Sequence, residues 1–208
     1  MSQLAVITGD LINSTRVENG QRFRALLKSI LAGMTKKYGA KTSIYRGDGF
    51  QISLTRRDCV FEATIYLRAG LIAGSPDRAE RWDARVAMAL GEHDAVIEEQ
   101  NSTVFIQSGR ALDGMKKEHM VVVGEPESFQ LAANIATAFV DDLIDNWTAV
   151  EAQTLFEYLQ GRESHQAIAE RLGKTRSTVT LSLQRARYNL IDRYITDMTR
   201  LRGLFVKH

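Results

Sequence analysis

Residues 39–54 read Gly-Ala-Lys-Thr-Ser-Ile-Tyr-Arg-Gly-Asp-Gly-Phe-Gln-Ile-Ser-Leu, two alternating apolar stretches around a tip at Arg46-Gly47-Asp48-Gly49. Asp-Gly between such stretches predicts a β-hairpin, 42–46 against 50–54, because a tight turn needs positive φ and Gly adopts it freely. The tip holds one carboxylate, Asp48, between two residues without side chains. A second carboxylate, Asp10, ends the strand Leu4-Ala5-Val6-Ile7-Thr8-Gly9-Asp10, whose residues 3–8 suit a central position in a sheet. With the two strands side by side, Asp10 and Asp48 form an oxygen-rich site suited to Mg²⁺ (or Mn²⁺) and a phosphate. Taken singly, each also reads as an ordinary turn residue, since Asp caps turns through its own side chain.

Around the hairpin, apolar spacing predicts a helix over 18–38, with Phe23, Leu27, Ile30 and Met34 on one face and Gly39 as its stop. A second helix follows over 58–73 and closes at Gly74-Ser75-Pro76. Residues 84–90 read as a strand, 103–115 as a helix and 120–123 as a strand, and Pro126 opens a helix to about Asp145. The order βα, hairpin, α, β, α, β, α predicts an α+β sandwich, with helices packed on a mixed sheet.

Bulk properties narrow the class. The chain has 208 residues, 44% hydrophobic and 25% charged, which fits one core with a smaller appendage. No apolar run approaches the ~20 residues of a membrane span, and no basic-then-apolar secretory segment opens the chain. A single cysteine, Cys59, excludes an internal disulfide and reads as a small apolar residue. The expected location is therefore cytoplasmic, with no membrane partner. His93, His119, His165 and His208 lack metal-ligand spacing, and no Ser/His/Asp set, P-loop or dinucleotide fingerprint is present. Residues 1–146 carry 17 Lys+Arg against 19 Asp+Glu, whereas residues 147–208 carry 10 against 6. A basic tail on a slightly acidic body is the asymmetry expected if the tail meets nucleic acid. The boundary predicted from this shift and from Asp145-Asn146-Trp147-Thr148 divides the chain into 1–146 and 147–208, with no flexible linker between them.

In the tail, Thr148-Ala-Val-Glu151 is a capping box for a helix to about Leu159, with Val150, Leu155, Phe156 and Leu159 on one side. Ser164 caps a second helix, Gly173 makes the turn, and Thr175 caps a third helix carrying Val179, Leu183, Ala186, Leu190 and Ile191. A helix-turn-helix needs a small residue where its helices cross, a left-handed Gly four residues on and a β-branched core residue six beyond. Ala169, Gly173 and Val179 meet that spacing. The third helix would then present Arg176, Ser177, Thr178, Thr180, Ser182, Gln184, Arg185 and Arg187, with Lys174 in the turn. Arg and Gln suit base edges, and Ser, Thr and the remaining Arg suit phosphates. A plain trihelical bundle with a solvated polar face is the alternative. The stretch resembles region four of bacterial sigma factors, which implies duplex DNA as partner, read through the major groove by a homodimer.

Four stretches of the body, 7–15, 45–51, 85–91 and 108–113, resemble the SatD family of bacterial proteins, a likeness spanning essentially the whole chain. More distantly, the element order is similar to the palm-type (ferredoxin-like βαββαβ) domain of class III nucleotide cyclases and diguanylate cyclases. That resemblance implies Asp10 and Asp48 as carboxylates for metal over a nucleoside triphosphate. It also implies phosphate contacts from the 11–15 backbone (Leu11, Ile12, Asn13, Ser14, Thr15) and close approach at Arg46, Gly47 and Gly49. Arg110 would neutralise charge on a transferring phosphoryl group. The departures are Gly49 where diguanylate cyclases have an acidic residue, Tyr45 and Arg46 where purine cyclases place a Lys, and Ile12 where a second acidic residue would follow Asp10. Arg46 and Arg110 also read as ordinary solvated side chains. The expectation is a DNA-binding transcriptional regulator with a nucleotide- and Mg²⁺-binding sensor. The alternatives are an active nucleotide cyclase controlled by its tail, and a scaffold using neither site.

Overall fold

A computed structural model describes residues 2–14, 20–45, 48–77, 79–93 and 102–205. Strand β1 (Ser2–Leu11) is followed by α1 (Gly20–Tyr38), the hairpin β2 (Lys41–Tyr45) and β3 (Gly49–Leu54), and α2 (Val60–Ala73). Next come β4 (Ala84–His93), α3 (Thr103–Gly114), β5 (Met120–Gly124) and α4 (Glu127–Asp145). Helices α5 (Ala149–Gly161), α6 (His165–Leu172), α7 (Arg176–Arg185) and α8 (Tyr188–Phe205) complete the order. Among the described residues the sheet has five strands in the order β2-β3-β1-β4-β5, antiparallel except for the β4–β5 pair. The architecture is the mixed α+β sandwich that the element order implies. No helix among the described residues is long and apolar enough to cross a membrane.

Period-two alternation divides the sheet. Ala5, Ile7 and Leu11 of β1, Ile52 and Leu54 of β3 and Val86, Met88 and Leu90 of β4 enter the main core, which α1 covers with Phe23, Leu27, Ile30 and Met34. The other face packs Leu4, Val6 and Ala89 on Val104, and Ala87 on Leu112 and Met115, beneath α3. Gly9 faces the main core, where an added Cβ would lie 2.4 Å from the Phe50 ring and 2.7 Å from the Arg85 carbonyl. A glycine is required there.

Helix α2 lacks an apolar stripe because it is buried on all sides, from Val60 to Ile72. Its outer side is covered by the C-terminal helices. The Phe156 ring lies 4.4 Å from that of Tyr66, and Phe61 meets Tyr194 edge-on. At Gly70 a Cβ would come within 2.8 Å of Phe156. Arg162 donates to Glu62 (2.9 Å) on α2 and to Asp192 on α8. One hydrophobic core runs without a break from the sheet to α8.

The β5 edge meets α4 through side chains. Val122 N donates to Asn134 Oδ1 (2.8 Å), and Asn134 Nδ2 returns a bond to Val122 O (2.7 Å). Gly124 N donates to Gln130 Oε1 (3.2 Å), and Met120 N to Asp141 Oδ2 (3.1 Å).

Two expectations need correction. The helix begun at Thr175 was expected to carry Leu190 and Ile191, but it ends at Arg185; Arg187 is left-handed (φ 58°), and α8 starts at Tyr188. The cause lies far away in the chain: the Trp147 indole donates to the Ala186 carbonyl (3.0 Å), taking it from the helical ladder. Beyond the break Leu190 is exposed; separately, on α5 Val150 is exposed while Ala152 and Thr154 are buried. The start of the first helix at 18 lies outside the described residues.

Candidate functional site

The open end of the sheet carries both predicted carboxylates. In register, Asp10 sits between Gly49 of β3 and Arg85 of β4, so Asp48 is next to Asp10's direct partner. Alternation places Asp10, Thr8 and Arg85 on the α3 face. Arg85 grips Asp10 as a fork, Nε donating to Oδ1 (3.0 Å) and Nη2 to Oδ2 (2.5 Å). Both side chains are about one-third exposed (36% and 30%), so the pair remains within reach of solvent. Asp48 is half-buried and accepts from Ser14 Oγ (2.7 Å). Thr8 shares a hydrogen bond with Ser108 (2.7 Å) and accepts one from Gln51 (3.2 Å), fastening α3 to the strand beside Asp10.

The other residues implied for this end differ in what they offer. The Leu11 and Ile12 amides donate to the carbonyls of Asp48 (3.2 Å) and Asp83 (3.0 Å), so they are engaged within the fold. Asn13 is exposed and left-handed (φ 55°), and Ser14 is buried by its bond to Asp48. A Cβ at Gly49 would lie 2.7 Å from the Tyr45 ring, so close packing alone accounts for that glycine. Arg110 is exposed on α3 and pairs with no carboxylate among the described residues. Thr15, Arg46 and Gly47 lie outside the described residues. The cation that meets Asp10 is Arg85, whose alternation with Val86 and Met88 in the sequence was the available signal.

As a donor set, two carboxylates and a serine hydroxyl are all oxygen, which suits Mg²⁺. Arg85, however, occupies both Asp10 oxygens. A divalent cation at Asp10 would have to displace that guanidinium.

A second charged cluster lies inside the fold. Arg68 is fully buried on α2; its Nε and Nη2 donate to Asp83 (2.9 and 2.8 Å), Nη1 to Asp141 (2.5 Å) and Nη2 to Asp145 (2.8 Å). A cation there persists only with such partners. Arg81 also reaches Asp83 (3.3 Å), and Asp141 accepts from the His119 and Met120 amides. His119 Nδ1 lies 2.8 Å from Asp145 Oδ1, and that bond, opposed by burial, holds the imidazole above its usual pKa. Three aspartates thus face Arg68, Arg81 and His119 in one cluster. Asp83, His119 and Asp145 can offer ligand atoms within 4.8 Å of one another. A metal there would compete with Arg68 for the same oxygens. Histidine spacing could not reveal this group; an arginine set in the mostly apolar run 63–73 could have.

On the C-terminal helices, Ser164 accepts from Ala167 N (3.2 Å) and Thr175 from Thr178 N (3.2 Å), each at the start of its helix. Gly173 is left-handed (φ 62°) in the turn, and Lys174 N donates to Ala169 O (2.9 Å). Ile168, Ala169, Val179 and Leu183 are buried. Arg176, Ser177, Thr178, Gln184 and Arg185 are exposed on α7, and Arg187 is exposed just beyond it. Among the described residues none of these three arginines pairs with a carboxylate. Three expected contacts differ: Ser182 is buried, Lys174 donates to Gln153 (3.0 Å), and Thr180 bonds the Arg176 carbonyl (3.0 Å) and His165 (2.9 Å).

No protein-family model and no curated protein matches the chain. Among solved structures it is similar to the active GGEEF domain of a diguanylate cyclase from Vibrio cholerae. The TM-score is 0.48 at 14% identity, over 61% of this chain and 85% of that one. So distant a likeness carries no argument about chemistry. The resemblances to the SatD family and to sigma-factor region four rest on the residues quoted for them.

Proposed function

We propose that this protein is a DNA-binding regulator that contacts duplex DNA through α7, and that the sheet end at Asp10 and Asp48 is where a nucleotide modulates it. One observation carries the reading. Arg176 and Arg185 lie on an exposed helix without acidic residues and have no carboxylate partner among the described residues. Residues 147–208 are then the DNA-contacting part, acting as a pair of copies, and 1–146 the sensing part. Ser177, Thr178 and Gln184 extend the surface, and the α7 N-terminus favours a phosphate. Lys174 and Thr180 support it by holding the turn.

At the sheet end, Asp10 and Asp48 would hold Mg²⁺, which supplies charge neutralisation for nucleotide phosphates, with Asn13 and Ser14 beside them. The Arg85 fork would have to open for Mg²⁺ to bind, whether the nucleotide is sensed or turned over. In the sensing reading Arg110 has no catalytic part.

The test is fluorescence anisotropy with a labelled pool of randomised duplexes. Wild type is expected to bind with a steep salt dependence. Arg176→Ala with Arg185→Ala should weaken binding about tenfold or more and lower the slope by about 0.9 for each phosphate no longer neutralised. Absence of duplex binding, or affinity unmoved by the double variant, overturns the reading. For the sheet end, calorimetry with Mg²⁺-ATP and Mg²⁺-GTP should show binding that Asp10→Ala abolishes and Arg85→Ala tightens.

A further inference from the structure

Helix α4 turns Phe129, Ala133, Thr137, Val140 and Ile144 inward, and gives Gln130, Asn134 and Asp141 to the β5 edge. Its remaining side carries Leu131, Ile135 and Phe139, which are 64%, 56% and 72% exposed. Single exposed apolar side chains are ordinary on any protein. Three large ones at i, i+4 and i+8 form a continuous stripe. Residues 128–140 contain no charged side chain, in a protein where a quarter of all residues are charged. A solvent-facing helix of this kind is normally studded with Lys and Glu.

We propose that this stripe is the face through which two copies of the chain associate, α4 packing antiparallel on α4 about a two-fold axis at Ile135. The spacing is symmetric. Leu131 and Phe139 each lie four residues from Ile135, so the antiparallel arrangement seats Leu131 of one copy against Phe139 of the other, twice. An isologous contact needs that self-complementarity. The neutral middle of the helix gives a charged foreign partner nothing to grip, and antiparallel packing also opposes the two helix dipoles. Strand addition at this edge is closed, because β5's outward groups already bond to Gln130, Asn134 and Asp141. The three side chains leave roughly 350 Å² of apolar surface open per copy, the size of a typical protein's largest apolar patch, which is often functional. Over two copies the stripe alone buries roughly 700 Å², below the standard interface size, so the association is expected to be weak.

The contact deepens the DNA-binding reading. Helix α4 passes into α5 through only Asn146, Trp147 and Thr148, so a two-fold on α4 fixes the separation of the two α7 helices. Paired recognition helices address half-sites about 34 Å apart.

Analytical ultracentrifugation of the full chain without DNA tests the contact separately from DNA binding. Wild type should dimerise as its concentration rises through the high micromolar range, and Phe139→Asp should weaken association about tenfold or more while circular dichroism and the thermal midpoint stay unchanged. Register is tested by oxidation in a Cys59→Ser background. Ile135→Cys should cross-link to itself, and Leu131→Cys should cross-link to Phe139→Cys but not to itself. A wild type monomeric throughout, a dimer indifferent to Phe139→Asp, or failure of the Ile135→Cys cross-link overturns the proposal. If the dimer forms as described and α7 variants leave DNA affinity unmoved, only the DNA reading falls.

Discussion

Arginine is used in opposite ways in the body and on α7. In the body Arg68 holds three aspartates through its three side-chain nitrogens and Arg85 holds Asp10 through two, while Arg162, at the end of α5, ties that helix to α2 and α8. On α7, Arg176 and Arg185 face water with no carboxylate partner among the described residues. A guanidinium matched to a carboxylate inside the fold contributes to shape, and one left unmatched on a helix face is available to an external anion. Losing a body arginine should therefore be felt in stability, and losing an α7 arginine in binding alone.

The largest effect is expected at Arg68. Arg68→Met leaves Asp83 and Asp141 buried without their main counter-charge and should cost about 3–5 kcal/mol in denaturant unfolding. A loss below about 1 kcal/mol would mean the aspartates simply take up protons, and the contrast would weaken. Next is Gly9→Ala. Its methyl group meets a ring and a backbone carbonyl that cannot turn away, and about 1–3 kcal/mol should be lost. Arg85→Ala breaks a partly exposed pair, so no more than about 1 kcal/mol is expected, and screening by salt should shrink it further. At the far end, Arg176→Ala and Arg185→Ala should each shift stability by less than about 0.5 kcal/mol. A larger change would give those arginines a structural task.

His119 adds a dependence on pH. Its pKa is raised in the folded state by Asp145, so its contribution is fully present below the unfolded histidine value near ~6.5 and fades as pH rises through the folded value. Stability measured from pH 6 upward should decline on this account, and His119→Gln should flatten that part of the profile. An unchanged profile in the variant would assign the decline to another group.

Much of the fold was legible because its signals are local. The alternating stretches around Asp48 mark the hairpin, although Gly49 pairs with Tyr45 inside β3 rather than making a positive-φ turn; Gly39 ends α1, and the Thr148–Glu151 capping box opens α5 with both of its bonds in place. What could not be read depends on residues far apart in sequence. The α7–α8 break follows from Trp147, 39 positions before Ala186, with neither Gly nor Pro to announce it. The Arg85 fork on Asp10 spans 75 positions, and the Arg68 cluster joins α2, α4 and the segments before β4 and β5. At the candidate site the sequence therefore indicated that the two aspartates share a sheet end, but not that one of them is already engaged.

The way α4 occupies the side of β5 bears on how this protein behaves when crowded. Uncovered strands template the growth of fibrils and clumps. Here the amides of Asn134 and Gln130 stand in for a missing neighbour, so recruitment from that flank is suppressed, and any runaway stacking would have to start at β2, on the opposite border of the sheet. Replacing Asn134 with leucine would keep its bulk and remove that safeguard, and turbidity on prolonged storage would reveal the loss.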